Sequence, residues 1–175
     1  MPIIKTKQFI LRPYKRGDEF SLQKNINAPS VSRNMLDVPY PYSRKMARDL
    51  VSRKLKEARA KNPQSVSFVI DVRGEAAGGV TIDRKPFSAA EISIWLGKKF
   101  RGKGIATRAT KLATEYCFKK LKLVRVFACI FPSNKASIAA FKRAGFRYEG
   151  LLRKDSQRLG KGKFYDDLLY AKVRR

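Results

Sequence analysis

One mixed α/β domain on a single, mostly antiparallel sheet is the fold expected of this chain, with about seven strands and about four helices. Three observations lead there. The 175-residue length suits one domain spanning 1–175 and is short for two. Stretches with period-2 alternation and stretches with helical period follow one another in the order β-α-α-β-β-β-α-β-α-β-β. The chain is 43% hydrophobic and 11% aromatic, enough for a core that excludes wholesale disorder.

Phe9-Ile10-Leu11-Arg12-Pro13 reads as a short strand stopped by proline. Residues 17–27 form a short helix with Phe20, Leu22 and Ile26 as its apolar points. Pro29, Pro39 and Pro41 make 27–43 mostly loop. Ser43 is an N-cap for a helix running to about residue 61. Met46, Leu50, Val51, Leu55 and Ala58 mark one face of that helix, and Arg48, Arg53, Lys54, Lys56 and Arg59 the other. Residues 66–72 and 76–83 are two hairpin arms around Arg73-Gly74-Glu75. In the third strand, 89–97, Ile92, Ile94 and Leu96 take one face and Glu91, Ser93 and Trp95 the other. A helix over 105–121 buries Ala109, Leu112, Ala113 and Tyr116, and Lys119 and Lys120 complement its dipole. A strand at 124–130 precedes a helix capped by Ser133 and stopped at Gly145. Residues 146–153 and 164–173 close the sheet around a basic loop holding Gly160 and Gly162.

Composition then removes several chemistries. The absence of histidine excludes Ser-His-Asp and Cys-His catalysis and the commonest zinc ligand. Cys117 and Cys129 cannot build a disulfide framework or a zinc cage, so no metal is expected. The N-terminus lacks a secretory apolar region and no apolar run reaches the roughly 18 residues of a membrane helix. A soluble, cytoplasmic protein without a membrane partner is therefore expected. The 40 Lys and Arg against 14 Asp and Glu give a net charge of +26. Residues 1–64 hold 15 basic and 5 acidic side chains, 65–97 hold 3 and 4, and 98–175 hold 22 and 5. The centre is ordinary and the periphery basic. Such a field attracts RNA, DNA or phosphate-bearing cofactors; a solvated, supercharged surface fits the same numbers.

Arg101-Gly102-Lys103-Gly104-Ile105-Ala106-Thr107 lies between the strand ending at Trp95-Leu96-Gly97 and the strong helix. A helix start leaves backbone N–H groups unpaired, and glycines let a diphosphate approach that backbone closely. Neither a Walker loop nor the three-glycine dinucleotide spacing is present. On these residues alone, a tight turn with solvated lysines is an equal reading.

The surrounding motifs resemble the GNAT superfamily of acetyl-CoA-dependent N-acetyltransferases. Arg101-x-x-Gly104-x-Ala106 is similar to that family's Arg/Gln-x-x-Gly-x-Gly/Ala pyrophosphate loop. Phe9 to Pro13 resembles its opening Leu-x-Leu-Arg-Pro strand. Asn134-Lys135-Ala136-Ser137 with Ala144-Gly145-Phe146 resembles its Asn-x-x-Ser … Gly-Phe segment. Glu149 to Arg153, and Asp166 with Tyr170-Ala171, resemble its closing strands. Pro39-Tyr40-Pro41-Tyr42-Ser43 is typical of the RimJ/RimL-like group, which acetylates ribosomal-protein N-termini.

The resemblance implies acetyl-CoA as co-substrate, held between splayed central strands by Trp95 and Leu96, by Arg101, Gly102, Lys103, Gly104, Ile105, Ala106 and Thr107, and by Asn134. It implies direct transfer of acetyl to a primary amine. That chemistry needs a neutral amine, an oxyanion donor and a proton for the leaving thiolate. A backbone N–H near Leu96 is the implied oxyanion donor. Glu91 is the first choice as base, against its reading as an ion-paired strand residue. Asp37 is the second, against an ordinary loop acid; Glu115 reads as solvated or ion-paired. Ser137 matches the serine near the CoA sulfur in RimL-like enzymes and is the proton-donor candidate, against a helix serine bonded to backbone. Phe141 stands where many relatives carry Tyr, and Ala139 where the group often has Arg. Tyr40 and Tyr42 fit either a groove wall or packing under the loop.

Three functions follow. The first is N-acetylation of the N-terminal amine of a protein, a ribosomal protein above all, with rRNA or ribosome contact through the basic surface. The second is acetylation of a small amine; polycationic acceptors fit poorly with only 14 acids in the chain. The third is a nucleic-acid-binding module on a weakly catalytic scaffold of this fold. Composition does not fix the oligomeric state.

Overall fold

The structure, a computed structural model, describes residues 2–158 and 162–174. It runs β1 (Ile4–Lys5), β2 (Ile10–Arg12), α1 (Asp18–Ile26), α2 (Pro29–Ser32), α3 (Arg44–Arg59), β3 (Ser65–Val72), β4 (Glu75–Lys85) and β5 (Ala89–Leu96). A 3-10 turn at Lys98–Phe100 leads to α4 (Ile105–Lys119), β6 (Arg125–Ile130), α5 (Lys135–Arg143), β7 (Arg147–Gln157) and β8 (Phe164–Val173). One eight-stranded sheet has the order β1-β2-β3-β4-β5-β6-β8-β7. Its pairs are antiparallel except β5 with β6. The sheet thus has one strand more than expected, and there is one α-helix more. The two-residue β1 and the four-residue α2 are too short to carry a periodic signal.

Both faces of the sheet are covered. On one side α4 packs Ile105, Ala109, Ala113 and Cys117 against Phe68, Ile70, Val80, Ile82 and Ile92. On the other, Leu22 of α1 and Val51 of α3 meet Val69 and Ala76. This double cover explains why β3 is buried from Val66 to Asp71 instead of on alternate residues. Burying a large aliphatic or aromatic side chain in such a core contributes about 1.5–3 kcal/mol.

Two local expectations are corrected. Asn134, not Ser133, caps α5, its Oδ1 accepting from the Ser137 amide at 3.2 Å. In α4 the fully buried positions include Thr110 and Thr114, while Leu112 and Tyr116 are only partly buried. Thr114 fits because its hydroxyl donates to the Thr110 carbonyl at 2.8 Å. The loop after β7 is only partly described: Gly160 and Lys161 lie outside the described residues. Ser43 caps α3 as expected, accepting from the Met46 amide at 3.2 Å.

A buried ionic knot ties β2 to α1 and β3. Arg12 Nε donates to Asp71 at 2.7 Å, and its two terminal nitrogens donate to Asp18 at 2.9 and 2.7 Å. Burial lowers the Arg12 pKa, but the hydrogen bonds and charges of Asp18 and Asp71 outweigh it, so the guanidinium ends above its ordinary value. No helix among the described residues is long and apolar enough to cross a membrane.

Candidate active site

The site begins where the sheet splits. β5 and β6 pair only over Ala89–Glu91 against Arg125–Phe127. Both strands continue, to Leu96 and Ile130, without further pairing to each other, and a fork opens. The Gly97 amide donates to the Ala77 carbonyl at 2.9 Å. Antiparallel alternation then turns the peptide groups of Ile94 and Leu96 away from β4 and into the fork. Small residues in β4 permit this arm. A Cβ at Gly78 would lie 2.3 Å from the Trp95 carbonyl oxygen, and one at Gly79 would lie 2.9 Å from both Trp95 Nε1 and the Tyr14 hydroxyl.

A cavity of about 830 Å³ fills the fork. Trp95, Leu96, Arg101, Gly102, Gly104, Ile105, Ala106, Thr107 and Asn134 border it, as does Ser137; Lys103 does not. Gly102 and Gly104 adopt φ of 77° and 74°, a region open to glycine at little cost. A Cβ on either would meet nothing within 4 Å, so the space before this backbone is free. The α4 N-cap Gly104 offers no side-chain cap. Among the described residues no acceptor is found for the amides from Gly102 to Thr107. Six consecutive N–H groups at the start of a 15-residue helix form a nest for an anion. Arg108, Lys111 and Arg143 add cations to the same wall. This donor set fits the pyrophosphate of a coenzyme A.

Arg101 borders the cavity and also braces its wall. Its Nε donates to the Leu96 carbonyl at 2.9 Å and its Nη1 to Ser30 Oγ at 3.3 Å. The side chain turns back to brace β5 and α2, and burial holds its pKa below the ordinary value. Spacing alone could not reveal this, because the partner, Ser30, is 71 residues away.

Glu91 stands apart from that set. It is the last β5 residue paired with β6, so it sits at the vertex of the fork, and it borders a second cavity of about 450 Å³. Lys85 Nζ lies 3.1 Å from its carboxylate, and that bond, foremost, raises the Lys85 pKa. The second cavity also takes in Phe127, Cys129, Asp155 and Ser156. Met35 borders the first cavity and Leu36 the second, so the two spaces flank one turn of chain after α2. Burial, then Glu91, Asp167 and Asp155, push the Cys129 thiol up to about 12, which leaves it neutral and poorly nucleophilic.

The remaining candidates fall into place. Asp37 is exposed in the loop before α3. Glu115 is an exposed partner of Lys119 at 3.5 Å. Phe141 is core, 2% exposed and edge-on to Phe146. Tyr42 packs under the loop and donates to the Met46 carbonyl, whereas Tyr40 is exposed. Cys117 is fully buried. On α3, Arg48, Lys56 and Arg59 are exposed, while Lys54 and Arg53 are engaged by Glu57. Arg158, expected on a basic surface loop, is half-buried over the rings of Phe131 and Tyr165 at 5.1 and 4.9 Å.

Fork and anion nest suit an acyl-CoA transferase, and the comparisons with known proteins agree. The family model described as acetyltransferase (GNAT) domain matches residues 8–147. The chain belongs to the GNAT acetyltransferase family, and it is an N-acetyltransferase with acetyl-CoA as co-substrate. Spermidine N(1)-acetyltransferase of Escherichia coli (strain K12) is 31% identical over 144 residues, 81% of this chain and 74% of that protein. The structure of Mycobacterium smegmatis RimJ in complex with CoA-disulfide matches with a TM-score of 0.83 and 26% identity, over 94% of this chain and 81% of that one. A RimL ribosomal L7/L12 alpha-N-protein acetyltransferase in complex with coenzyme A shares the fold, with a TM-score of 0.83 at 23% identity over 98% of each chain.

Proposed function

We propose that this enzyme acetylates the N-terminal α-amine of a protein, with ribosomal proteins as the expected acceptors. The observation that carries the reading is the pair of cavities meeting at Met35 and Leu36: an anion nest on one side of the fork, a separate space for an amine on the other. The likeness to the putative ribosomal N-acetyltransferase YdaF of Bacillus subtilis (strain 168), 44% identical over 64 residues, supports a ribosomal acceptor. The exposed cations Arg48, Lys56 and Arg59 on α3 suit contact with rRNA.

Acetyl-CoA supplies the activated acetyl thioester. The Gly102–Thr107 amides bind its pyrophosphate, and the inward peptide groups of Ile94 and Leu96 line its reactive end. Ser137 Oγ, on the first turn of α5, holds a proton at the fork. Glu91, fixed by Lys85 at the vertex, takes the proton from the acceptor amine.

A small polyamine acceptor is the second reading. The likeness to a spermidine N(1)-acetyltransferase favours it, as does the acidic lining beside Glu91. Mass spectrometry of ribosomal proteins, N-terminal peptides and polyamines incubated with labelled acetyl-CoA separates the two. Label on polyamines alone would overturn the protein-acceptor reading.

A further inference from the structure

The second cavity carries charge of the opposite sign to the rest of the molecule. Two cations come near it, and each has its own carboxylate: Lys85 pairs with Glu91 at 3.1 Å, and Arg125 with Glu149. Two further acids do not. Asp155 borders the cavity, and Asp167 stands behind Ser156, whose hydroxyl donates to it. Neither meets a Lys or Arg among the described residues, although the chain holds 40 of them. Asp167 is 2% exposed, and a carboxylate buried that deeply ordinarily has a counter-charge.

Backbone geometry shows how Asp155 reaches this place. The β7–β8 ladder pairs Leu152 with Asp167 and then Ser156 with Tyr165, so β7 bulges between them. Lys154 takes φ of 53° inside that bulge. A bulge of this kind re-aims a side chain. The acid spacing also speaks to the ligand. Among the described residues no group of three His, Cys, Asp or Glu is placed to hold a metal ion. Leu36, Phe127, Leu152 and Leu169 give the cavity apolar walls around its carboxylates. Carboxylates beside apolar and aromatic walls suit an alkyl chain ending in a cation.

We propose that Asp155, backed by Asp167, binds a second positive charge of the acceptor, so that the enzyme selects primary amines with another cation a few bonds away. This rests on the acetyl-transfer reading of the fork and names the acceptor class. Two sources share the chemistry: a protein N-terminus followed closely by Lys or Arg, and an aliphatic diamine. The raised pKa of Asp167, from burial first and then from Asp155, Glu91 and Asp166, accords with a carboxylate awaiting a cation.

The test measures kcat and KM for three peptides that differ only after the first residue, bearing Lys, Gln or Glu, and for 1,4-diaminobutane. Wild type is compared with Asp155→Asn and Asp167→Asn. Thermal melting checks folding, and Asp155, being exposed, can be changed without disturbing the core. Loss of a charged partner should raise KM for the Lys peptide or the diamine about 10- to 100-fold. KM for the Gln peptide and for acetyl-CoA should stay unchanged. Equal use of Lys, Gln and Glu peptides by wild type overturns the inference and leaves N-terminal acetylation standing. An unchanged Lys preference in both variants overturns it too. Turnover of the diamine alone, lost on Asp155→Asn, upholds it and overturns the protein-acceptor reading. No turnover of any of the four overturns both.

Discussion

Gly104→Val tests the anion nest most directly, because its effects on folding and on binding can be separated. The Gly104 φ of 74° places the residue in the left-handed region, and the space around it is empty. A Cβ there meets no protein atom, so the cost comes from the backbone. An L-residue held in that region costs roughly 1–2 kcal/mol. In a domain of this size each kcal/mol lowers the melting temperature by about 2–4 °C, so a fall of about 2–8 °C is expected. Binding should suffer more. Relaxation of the strain would rotate the amides at the start of α4, and the branched side chain would occupy the free space in front of them. One hydrogen bond to a charged group contributes about 1.5–3 kcal/mol, so its loss weakens coenzyme A binding about 10- to 150-fold. Calorimetry with coenzyme A, beside a melting curve, measures both. A folded variant with wild-type affinity would refute the assignment of the loop to the pyrophosphate.

Removing the base or the acid should act on turnover more than on folding. Glu91→Gln should lower kcat about 10²–10⁴-fold; Ser137→Ala should lower kcat with KM for acetyl-CoA unchanged, and a wild-type rate in either variant retires that residue. Arg12→Ala leaves Asp18 and Asp71 buried without their counter-charge and should cost about 3–5 kcal/mol in urea unfolding, with loss of under about 1 kcal/mol counting against the knot. Burial, then Asp155, Glu91 and Asp166, raise the Asp167 pKa against its bond from Ser156, so the folded chain holds this proton where the unfolded chain has released it. Stability is therefore lost as pH rises from the unfolded Asp value of about 3.9 to the raised one; Asp167→Asn should gain on wild type through that window and run parallel above it, while a gap that shrinks with pH contradicts the sign. For the exposed α3 cations, filter binding of rRNA fragments should weaken with salt at a log–log slope of about −0.7 per phosphate contacted on single strands; no binding at about 50 mM salt leaves these residues as a solvated surface.

How far the sequence carries depends on the range of the interaction that fixes each feature. The Gly-x-Gly turn, the Ser43 cap and the α4 helix are set by neighbours a few residues apart, and their residues can be read from spacing. Short β1 and α2 escape because tertiary pairing, not local pattern, creates them. The Arg101 brace, the Arg12 knot and the Asp155–Ser156–Asp167 cluster join residues 71, 59 and 11 positions apart in their key bonds. No periodicity announces those. The charge arithmetic misleads in the same way. Fourteen acids in 175 residues argue against a site for cations. Topology gathers Glu91, Asp155 and Asp167 at one place, by bringing β8 between β6 and the bulged β7.

That gathering changes how the net charge of +26 should be understood. At physiological ionic strength the Debye length is about 8 Å, so charges on distant helices are largely screened from a ligand entering the fork. What the ligand meets is the local lining. On the first side, six amides with Arg108, Lys111 and Arg143 meet an anion. On the second, Asp155 borders the cavity with Asp167 behind Ser156, and Lys85 and Arg125 are already neutralised by Glu91 and Glu149. The short β5–β6 pairing, three residues on each strand, keeps the two fields on opposite sides of one fork. Glu91 stands at the vertex of the fork on the second side, held by Lys85, and an amine that reacts there must first give up its proton.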